Sequence, residues 1–297
     1  MILFKKIFKK LSQTRWELGF INNGLEGAFS ETPQYTWVKN PYKDRWFADP
    51  FILDVDDRNI YLLVEEMRYE PHIGRIAKLT VDKSTWTIVD MKIVLEEPTH
   101  LSFPAIIRQN GHIYVYPENG QSSKLKLYEL IDDKLVYVRD ICSENLADAI
   151  ITDQFGDIKM FATKYPDYNG DTLHVYSMVD KTKIDAHKPI ESIQFSDKHA
   201  RMAGQFFAYK CKKYRPAQDC SRVYGGAIII EECFCHDNQF HFVPIKKLIS
   251  AHPQYRQGMH TLNEYKGMVV VDVWGYKYLL GTIISMFVRF KKMYIRQ

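Results

Sequence analysis

The sequence has few glycines and few cysteines. The small number of glycines bears on the fold class, and the small number of cysteines bears on the cellular compartment. Only 15 of the 297 residues are glycine, whereas 17 are phenylalanine and 19 are tyrosine. Aromatic side chains favour the half-buried surfaces of sheets, so this composition indicates many short strands. The five cysteines are an odd number without disulfide-framework spacing, and no cleavable signal peptide precedes them. We therefore expect a reduced, cytoplasmic environment.

Motifs for cofactors and metals are also missing. No G-x-G-x-x-G or P-loop motif occurs, so a Rossmann or Walker nucleotide site is not indicated. The segment CFCHDNQFH contains Cys233, Cys235, His236 and His241, but its C-x-C pattern on a predicted strand differs from the C-x2-C loops of zinc sites. The sequence predicts neither a cofactor nor a metal.

Positive charge is concentrated at the two ends of the chain. The net charge is +4, yet residues 1–16 carry +5 and residues 277–297 carry another +5, so the remaining residues carry −6. A nucleic-acid-binding protein would be expected to have a basic body, so this distribution argues against nucleic acid as a partner.

The basic ends also contain apolar residues in a pattern typical of membrane surfaces. In MILFKKIFKKL, apolar residues recur at helical spacing between paired lysines, and YLLGTIISMFVRFKKM is an apolar run followed by cations. Neither reaches the roughly 20 apolar residues that span a bilayer. We predict a basic amphipathic helix over residues 1–15 and a similar segment over 277–297, both bound to an anionic, cytoplasmic membrane surface. The alternative is that these segments pack on the domain and keep a solvated basic face.

Between the ends, one arrangement recurs five times. An apolar strand, a short polar turn and a second apolar or aromatic strand begin near residues 47, 101, 147, 201 and 258. Each of the first four copies is followed by two further strand-like runs, such as GRIAKLTVD and TIVDMKIVLEE. Four strands per repeat at this period predict an all-β fold, a five-bladed β-propeller over residues 16–276.

The fifth copy has only two strands of its own. The spare runs WELGFINN and YTWVKNP, within residues 16–40, are expected to supply its outer strands. Such pairing closes the ring and brings the two basic ends close together.

Polar residues near the predicted axis are the candidate site. First strands begin at Asp49, Ser102, Asp148, Arg201 and His260, and second strands end near Glu65, Glu66, Glu118, Arg215, Asp219 and Asp272. Paired carboxylates suit glycosyl chemistry, one as base or nucleophile and one as acid. Of Glu65 and Glu66 only one can face the axis, because neighbours on a strand point to opposite faces.

We assign roles on this basis. The candidate catalytic residues are Asp49, Glu118 and Asp148. The candidate substrate-binding residues are Glu66, His100, Arg201, Gln205, Arg215, Gln218, Asp219 and His260. Paired guanidinium groups suit a phosphate or carboxylate better than a neutral sugar. The alternatives are a structural ion pair for Arg215 with Asp219, and a hydrogen-bonded structural role for His100.

The ADPF opening and the five-bladed ring resemble the furanosidase propellers that include glycoside hydrolase family 43. The resemblance implies a base at Asp49 and a residue that tunes pKa at Asp148. A carboxylic acid is implied at the head of the fourth blade, where this chain has Arg201 instead.

A closer resemblance runs from Trp16 to Trp274. The motifs FADPF, THLSFPAI, YPENG, ARMAGQFF, YRPAQDCSRVYGGAI and GMHTLN are similar to the propeller N-terminal to the transferase module of plant glucosamine inositolphosphorylceramide transferases, and to bacterial relatives. This resemblance implies a role in glycan or glycolipid assembly; in the plant proteins catalysis is assigned to the separate module.

Three functions are therefore considered. The first is a membrane-associated sugar transferase of capsule, lipopolysaccharide or glycolipid synthesis, with Asp49 as base and cations that hold an anionic leaving group. Its partners would be a sugar donor, such as a nucleotide sugar, and a glycan or lipid-linked acceptor. The second is a glycoside hydrolase or phosphorylase, and the third is a non-catalytic glycan-binding module.

The N-terminal lysines provide a test of the membrane interpretation. Changing Lys5, Lys6, Lys9 and Lys10 to Gln should weaken binding to anionic vesicles, because each lysine near the surface contributes about 1 kcal/mol of attraction. Thermal stability should stay the same. Unchanged vesicle binding in a sedimentation assay, or a large loss of stability, would favour segments packed on the domain.

Overall fold

The protein is a five-bladed β-propeller. The computed structural model describes residues 12–184 and 188–278, and these residues form five antiparallel sheets, each with four main strands. Within each blade, the first strand lies at the axis and the following strands lie progressively outward. This architecture confirms the fold predicted from the repeats.

The first two blades follow the predicted repeats. Blade one consists of β3 (Arg45–Val55), β4 (Asn59–Arg68), β5 (Gly74–Asp82) and β6 (Thr87–Leu95). Blade two consists of β7 (Ser102–Gln109), β8 (His112–Glu118), β9 (Leu125–Ile131) and β10 (Lys134–Cys142). In the turn between β7 and β8, Asn110 and Gly111 adopt the positive φ that the backbone needs there.

Blades three and four have the same order. Blade three consists of β11 (Leu146–Thr152), β12 (Lys159–Lys164), β13 (Thr172–Asp180), the short β14 (Lys183–Ile184) and β15 (Glu191–Gln194), the last two both paired with β13. Blade four consists of β16 (Phe207–Tyr209), β17 (Lys212–Asp219), β18 (Ala227–His236) and β19 (Gln239–Leu248).

Blade five is built from both ends of the described chain. Its inner strands are β20 (Leu262–Tyr265) and β21 (Met268–Tyr278), and its outer strands are β1 (Gln13–Ile21) and β2 (Tyr35–Trp37). A short helix, α1 (Gly24–Phe29), connects β1 to β2. The antiparallel pairing of β1 with β21 runs from Gln13 opposite Tyr278 to Ile21 opposite Val269. The predicted closure by residues 16–40 is thus confirmed.

The terminal segments are only partly covered. Residues 1–11 and 279–297, where amphipathic helices are predicted, lie outside the described residues. Residues 13–15, assigned to the N-terminal helix, belong instead to β1, because they pair with β21. Arg15 is buried and its Nε lies 2.5 Å from Glu17 Oε1, so one of the five N-terminal cations is used within the fold. In the described ranges, no helix is both long and apolar enough to cross a bilayer.

The core lies between neighbouring blades. Because successive side chains of a strand point to opposite faces, each blade presents one apolar face to the blade before it and one to the blade after it. Aliphatic residues such as Leu62, Val115, Ile150, Ile230 and Val271 are fully buried at these interfaces. The interfaces fix the direction in which each innermost strand meets the axis.

A matched pair of valine substitutions tests whether the fifth blade belongs to the cooperative core. Val271 on β21 is completely buried, whereas Val138 on the outer strand β10 is 44% exposed. Val271→Ala should lower the free energy of unfolding by roughly 2 kcal/mol, through lost burial and the cavity left behind. Val138→Ala should change it by less than about 0.5 kcal/mol. Equal effects in urea denaturation would contradict the proposed packing of this blade.

Candidate active site

Bulges in the innermost strands turn particular residues toward the axis. The pairing of β3 with β4 shifts register around Asp49, that of β7 with β8 around Phe103, and that of β11 with β12 around Asp148. All three residues have a left-handed backbone, with φ of 50°, 45° and 46°. Such conformations are costly outside glycine and are found most often where the surrounding structure holds a functional group in place. Both aspartates were predicted as catalytic candidates.

The first polar group at the axis joins blades five, one and two. Asp49 Oδ1 accepts a hydrogen bond from Thr261 Oγ1 at 2.8 Å and lies 3.6 Å from His260 Nε2, while Oδ2 accepts the N–H of Phe103 at 3.0 Å. Asp272 accepts the backbone N–H groups of Asp49, His260 and Thr261, and its Oδ2 lies 2.8 Å from His260 Nδ1. His260 is therefore held between two carboxylates.

In this group, burial and the neighbouring charges have opposing effects on each pKa. Burial raises the pKa of Asp49 to about 7, against the opposing charge of His260. Burial acts to lower the pKa of His260, but the charges of Asp272 and Asp49 outweigh it and raise that pKa to about 9. At neutral pH, His260 is thus a cation and Asp49 is poised between its two protonation states.

The second polar group joins blades two, three and four. Arg201 binds Asp148 through two nitrogens, Nε at 2.5 Å and Nη2 at 3.1 Å, and Nη2 lies 3.3 Å from Glu118 Oε2. Glu118 also accepts the N–H of Asp148 at 2.9 Å and the hydroxyl of Tyr165 at 2.8 Å. Burial raises the pKa of Asp148 to about 7 despite the nearby guanidinium. Burial acts to lower the pKa of Arg201, but the charges of Asp148 and Glu118, the Tyr224 hydroxyl and the hydrogen bond to Asp148 together outweigh it, so the pKa is raised and Arg201 stays charged.

One aromatic side chain connects the two groups. The ring of Tyr224 contacts the imidazole of His260 edge-on at 5.4 Å between centroids, and the guanidinium of Arg201 lies 5.2 Å from its centre. Tyr224 is 41% exposed, whereas His260 and Arg201 are buried, so its ring covers them on the side that faces solvent. On the other flank, Trp16 stacks on His260 at 3.9 Å. We call the two polar groups together the axial cluster, which consists of Asp49, Glu118, Asp148, Arg201, His260 and Asp272.

Arg215 lies outside the axial cluster, contrary to expectation. It is fully buried, its Nε lies 2.6 Å from Glu231 Oε2, and its other nitrogens donate to the carbonyls of His199 and Ala200 at 3.1 Å. The guanidinium therefore braces β17 against β18 and the preceding loop. This is the structural ion pair considered as the alternative, although the partner is Glu231 and not Asp219.

Two other predicted binding residues also have structural partners. Glu66 is enclosed by Arg45 and Arg75, whose nitrogens lie 3.0 and 2.9 Å from its carboxylate. Asp219 accepts the N–H of Ser221 at 2.9 Å and pairs with Lys247. The Glu66 carboxylate thus lies between the neighbouring strands β3 and β5, and the Asp219 carboxylate lies at the turn after β17. Neither belongs to the axial cluster.

The remaining predicted residues lie at different distances from the axial cluster. Gln218 donates to Asp148 and to the Met202 carbonyl, so it belongs to the second polar group. His100 lies at the margin, with Nε2 3.2 Å from Glu65 Oε1 and Nδ1 accepting the N–H of Gly74. Its pKa is raised because the carboxylate of Glu65 outweighs burial.

Gln205 lies near the opposite end of the axis. Its Nε2 donates to the Ile106 carbonyl at 3.1 Å. There it lines a separate cavity of about 220 Å³ with Arg108, Gln154, Asn263 and Tyr265. Gln205 is therefore remote from the carboxylates that it was predicted to assist.

One group of described residues has the spacing of metal ligands. Ligand atoms of Asp49, His260 and Asp272 lie within 4.8 Å of one another. However, His260 Nδ1 already bonds Asp272, and Asp49 already accepts from Thr261 and Phe103. The spacing is therefore that of a hydrogen-bond network in which the imidazole lies between two carboxylates.

Sequence reasoning missed several members of the site. Thr261 is the neighbour of His260 in the chain and contacts its ring, and Trp16 contacts the same ring from the N-terminal strand β1. Tyr165, in the loop after β12, donates a hydrogen bond to Glu118. Tyr224 lies within the YRPAQDCSRVYGGAI motif, which was the available signal. Asp272 was noted at the end of a second strand but was not assigned a role.

Comparisons with known proteins place this arrangement in context. The family model described as glucosamine inositolphosphorylceramide transferase 1, N-terminal, matches residues 35–268. Proteins of that name from Oryza sativa subsp. indica and Arabidopsis thaliana are 28% identical over 203 residues and 30% identical over 197 residues. These alignments cover 65% and 63% of this chain but only 27% and 25% of the relatives, so the chain spans about a quarter of their length.

Solved structures share the fold at low sequence identity. A β-xylosidase superposes with a TM-score of 0.52 at 13% identity, covering 79% of this chain and 93% of that one. An exo-β-1,3-galactanase from Phanerochaete chrysosporium gives 0.54 at 9%, covering 72% and 55%, and a GH43 enzyme from Xanthomonas citri gives 0.53 at 11%, covering 79% and 89%. At these identities the likeness concerns the fold alone.

Two histidines provide a direct test of the electrostatics. Burial and the charge of Arg256 lower the pKa of His252 to about 4. In one ¹⁵N spectrum of the histidine rings, His260 should therefore titrate near pH 9 and His252 near pH 4. Asp272→Asn should move the His260 midpoint downward and leave His252 unchanged. A His260 midpoint near its ordinary value of 6.5 would contradict the two-carboxylate environment.

Proposed function

The chain belongs to the family of glucosamine inositolphosphorylceramide transferase N-terminal domains, and we propose that it is a glycosyltransferase-like enzyme acting on an anionic, phosphate-activated sugar at the axial cluster. The observation that carries the proposal is the chemistry of Arg201. At the head of the fourth blade, a guanidinium and not a carboxylic acid faces the axial carboxylates.

The difference matters for the leaving group. A sugar alkoxide leaves only when an acid protonates it, so glycoside hydrolysis needs two carboxyl groups with separate roles. A phosphate or nucleoside diphosphate leaves as a stable anion and needs charge stabilisation. Arg201 offers a planar fork that matches phosphate oxygens, and His260 adds a second cation on the same axis.

Asp49 is the proposed base. Its pKa of about 7 lies near the working pH, which is the condition for efficient removal of a proton from an acceptor hydroxyl. Thr261 and Phe103 fix its carboxylate by hydrogen bonds, and the His260 cation stabilises the ionised form. Glu118 and Asp148 are the second carboxylates, which hold Arg201 in position.

Arg201 pairs with Asp148 and Glu118. An incoming phosphate must compete with Asp148 for the guanidinium, and it competes best when Asp148 is protonated. Because the pKa of Asp148 lies at about 7, this exchange costs little at neutral pH. Donor binding is therefore coupled to uptake of a proton by Asp148.

The proposed setting is the cytoplasmic face of the plasma membrane, in capsule, lipopolysaccharide or glycolipid synthesis. The basic, apolar segments at residues 1–11 and 279–297 support peripheral attachment to anionic lipid. The proposed partners are a sugar donor, such as a nucleotide sugar, and a glycan or lipid-linked acceptor.

A hydrolase or phosphorylase is the second candidate. It is favoured by the four carboxylates of the axial cluster, of which Asp49 and Asp148 both have a pKa of about 7. In that case Arg201 and His260 would bind inorganic phosphate or an acidic sugar. A non-catalytic glycan-binding module would use the same residues without turnover.

Calorimetry on Arg201 variants separates these functions. Arg201→Lys keeps the charge and removes the fork, and the triple variant Arg201→Gln, Asp148→Asn and Glu118→Gln removes the guanidinium together with both buried carboxylates that it pairs with. With UDP-N-acetylglucosamine as the probe, each charge-assisted bond lost is worth roughly 1.5 to 3 kcal/mol, so affinity should fall about ten- to a hundredfold. Binding of neutral β-1,3-galactotriose should barely change. Equal loss of both ligands with a lower melting temperature would assign Arg201 to the scaffold.

The pH dependence of donor binding is a further test. Above a pH of about 7, Asp148 ionises and retains Arg201, so affinity for UDP-N-acetylglucosamine should fall by up to about tenfold per pH unit. The diphosphate of the donor does not titrate in this range, so the change comes from the protein. In Asp148→Asn most of the dependence should disappear. An affinity that is constant from about pH 6 to 8 in the wild type would contradict the exchange.

A further inference from the structure

Both ends of the described chain leave the propeller on the same face. β21 begins at Met268, passes the axial cluster at Asp272 and ends at Tyr278, where it pairs with Gln13. Trp274 pairs with Gly258, before His260 in the chain, so the residues after it extend beyond the axial cluster. The two ends of the described chain therefore lie next to each other, at Gln13 and Tyr278.

The axial cluster lies toward that same face. The innermost strands begin at the axial cluster and run away from it, and the second strands return. The loop after β17 then contains Tyr224, whose exposed ring contacts His260 and Arg201. We call this side the mouth face and the other side, with the β16–β17 and β18–β19 turns, the far face.

Loops on the mouth face expose apolar side chains. Ile73, in the loop after β4, and Val223, in the loop after β17, are each 39% exposed, and the neighbouring Arg222 is exposed as well. The rim itself has mixed charge, since Asp44 pairs with Arg45 there. The excess positive charge comes instead from the lysines and arginines of the two terminal segments.

We infer that the mouth face lies on the surface of an anionic phospholipid bilayer, so that the axial cluster lies toward the lipid. The inference rests on the proposed membrane attachment, and on strand register for the orientation. Two cationic, apolar segments that start beside the mouth would hold it against the membrane, while Ile73, Val223 and Tyr224 meet the interfacial region.

The chain supplies its own control for orientation. Its two exposed cysteines, Cys211 in the β16–β17 turn and Cys235 near the end of β18, both lie on the far face, whereas Cys142, Cys220 and Cys233 are buried. A thiol-reactive fluorophore on the wild type therefore reports the far face. The variant Val223→Cys with Cys211→Ser and Cys235→Ser reports the mouth face.

Both labelled proteins are mixed with phosphatidylserine–phosphatidylcholine vesicles that contain nitroxide-labelled acyl chains. We expect the fluorescence at position 223 to be quenched on binding and the far-face label to keep its intensity. Vesicles of phosphatidylcholine alone, and the variant with Lys5, Lys6, Lys9 and Lys10 changed to Gln, should weaken the quenching.

Three results would overturn the inference. The first is quenching of the far-face label instead, and the second is no quenching of either label. The third is that iodide fails to quench the label at position 223 in solution without lipid, which would mean that the terminal segments cover the mouth. The experiment needs no sugar donor, and the donor titrations need no lipid. Failure of the orientation and failure of the transferase function are therefore distinguishable.

Discussion

The pairing of β1 with β21 is the interaction on which the other features depend. Without it, the fifth sheet would consist of β20 and β21 alone and β21 would have an unpaired edge. The antiparallel pairing from Gln13 to Ile21 removes that edge by joining the two ends of the described chain in one sheet. The same pairing lays Trp16 on His260 and fixes β21, so that Asp272 reaches the N–H of Asp49 across the seam. Closure therefore completes the axial cluster as well as the fold.

The axial cluster concentrates charge in a place where burial is expensive. Asp49, Asp148, Glu118 and Asp272 are all buried, and such groups persist only when paired and hydrogen-bonded. The bulges supply backbone N–H donors for three of them, and Arg201 and His260 supply the opposing charge. The left-handed backbone at the bulges costs free energy, and so does the burial that raises the pKa of Asp49 and Asp148. Apolar packing between the blades must offset both. A polar site of this kind, held under strain in an otherwise apolar ring, is what a catalytic function would require.

The sequence predicted the parts of the structure that repeat. Five copies of one strand pattern identified the blades, and the position of Asp49 and Asp148 at the head of their copies placed both at the axis. Arg215 could not be placed in the same way, because its strand is buried on both faces and its partner Glu231 lies on the next strand. Gln205 follows a glycine with φ of 149°, where the fourth blade departs from the common pattern, so its direction was not readable from spacing. Trp16 and Tyr165 reach the site through contacts between distant segments, which a periodic pattern does not encode.

The most direct test of the central claim is a crystal structure of the protein with a nucleotide sugar. The account predicts diphosphate density beside Arg201 and Tyr224, with the sugar directed at Asp49 and the Arg201–Asp148 pair opened. Density confined to the cavity around Arg108 and Gln205, at the other end of the axis, would contradict it. So would a neutral oligosaccharide bound between Asp49 and Glu118 under conditions in which the nucleotide sugar leaves the axial cluster empty.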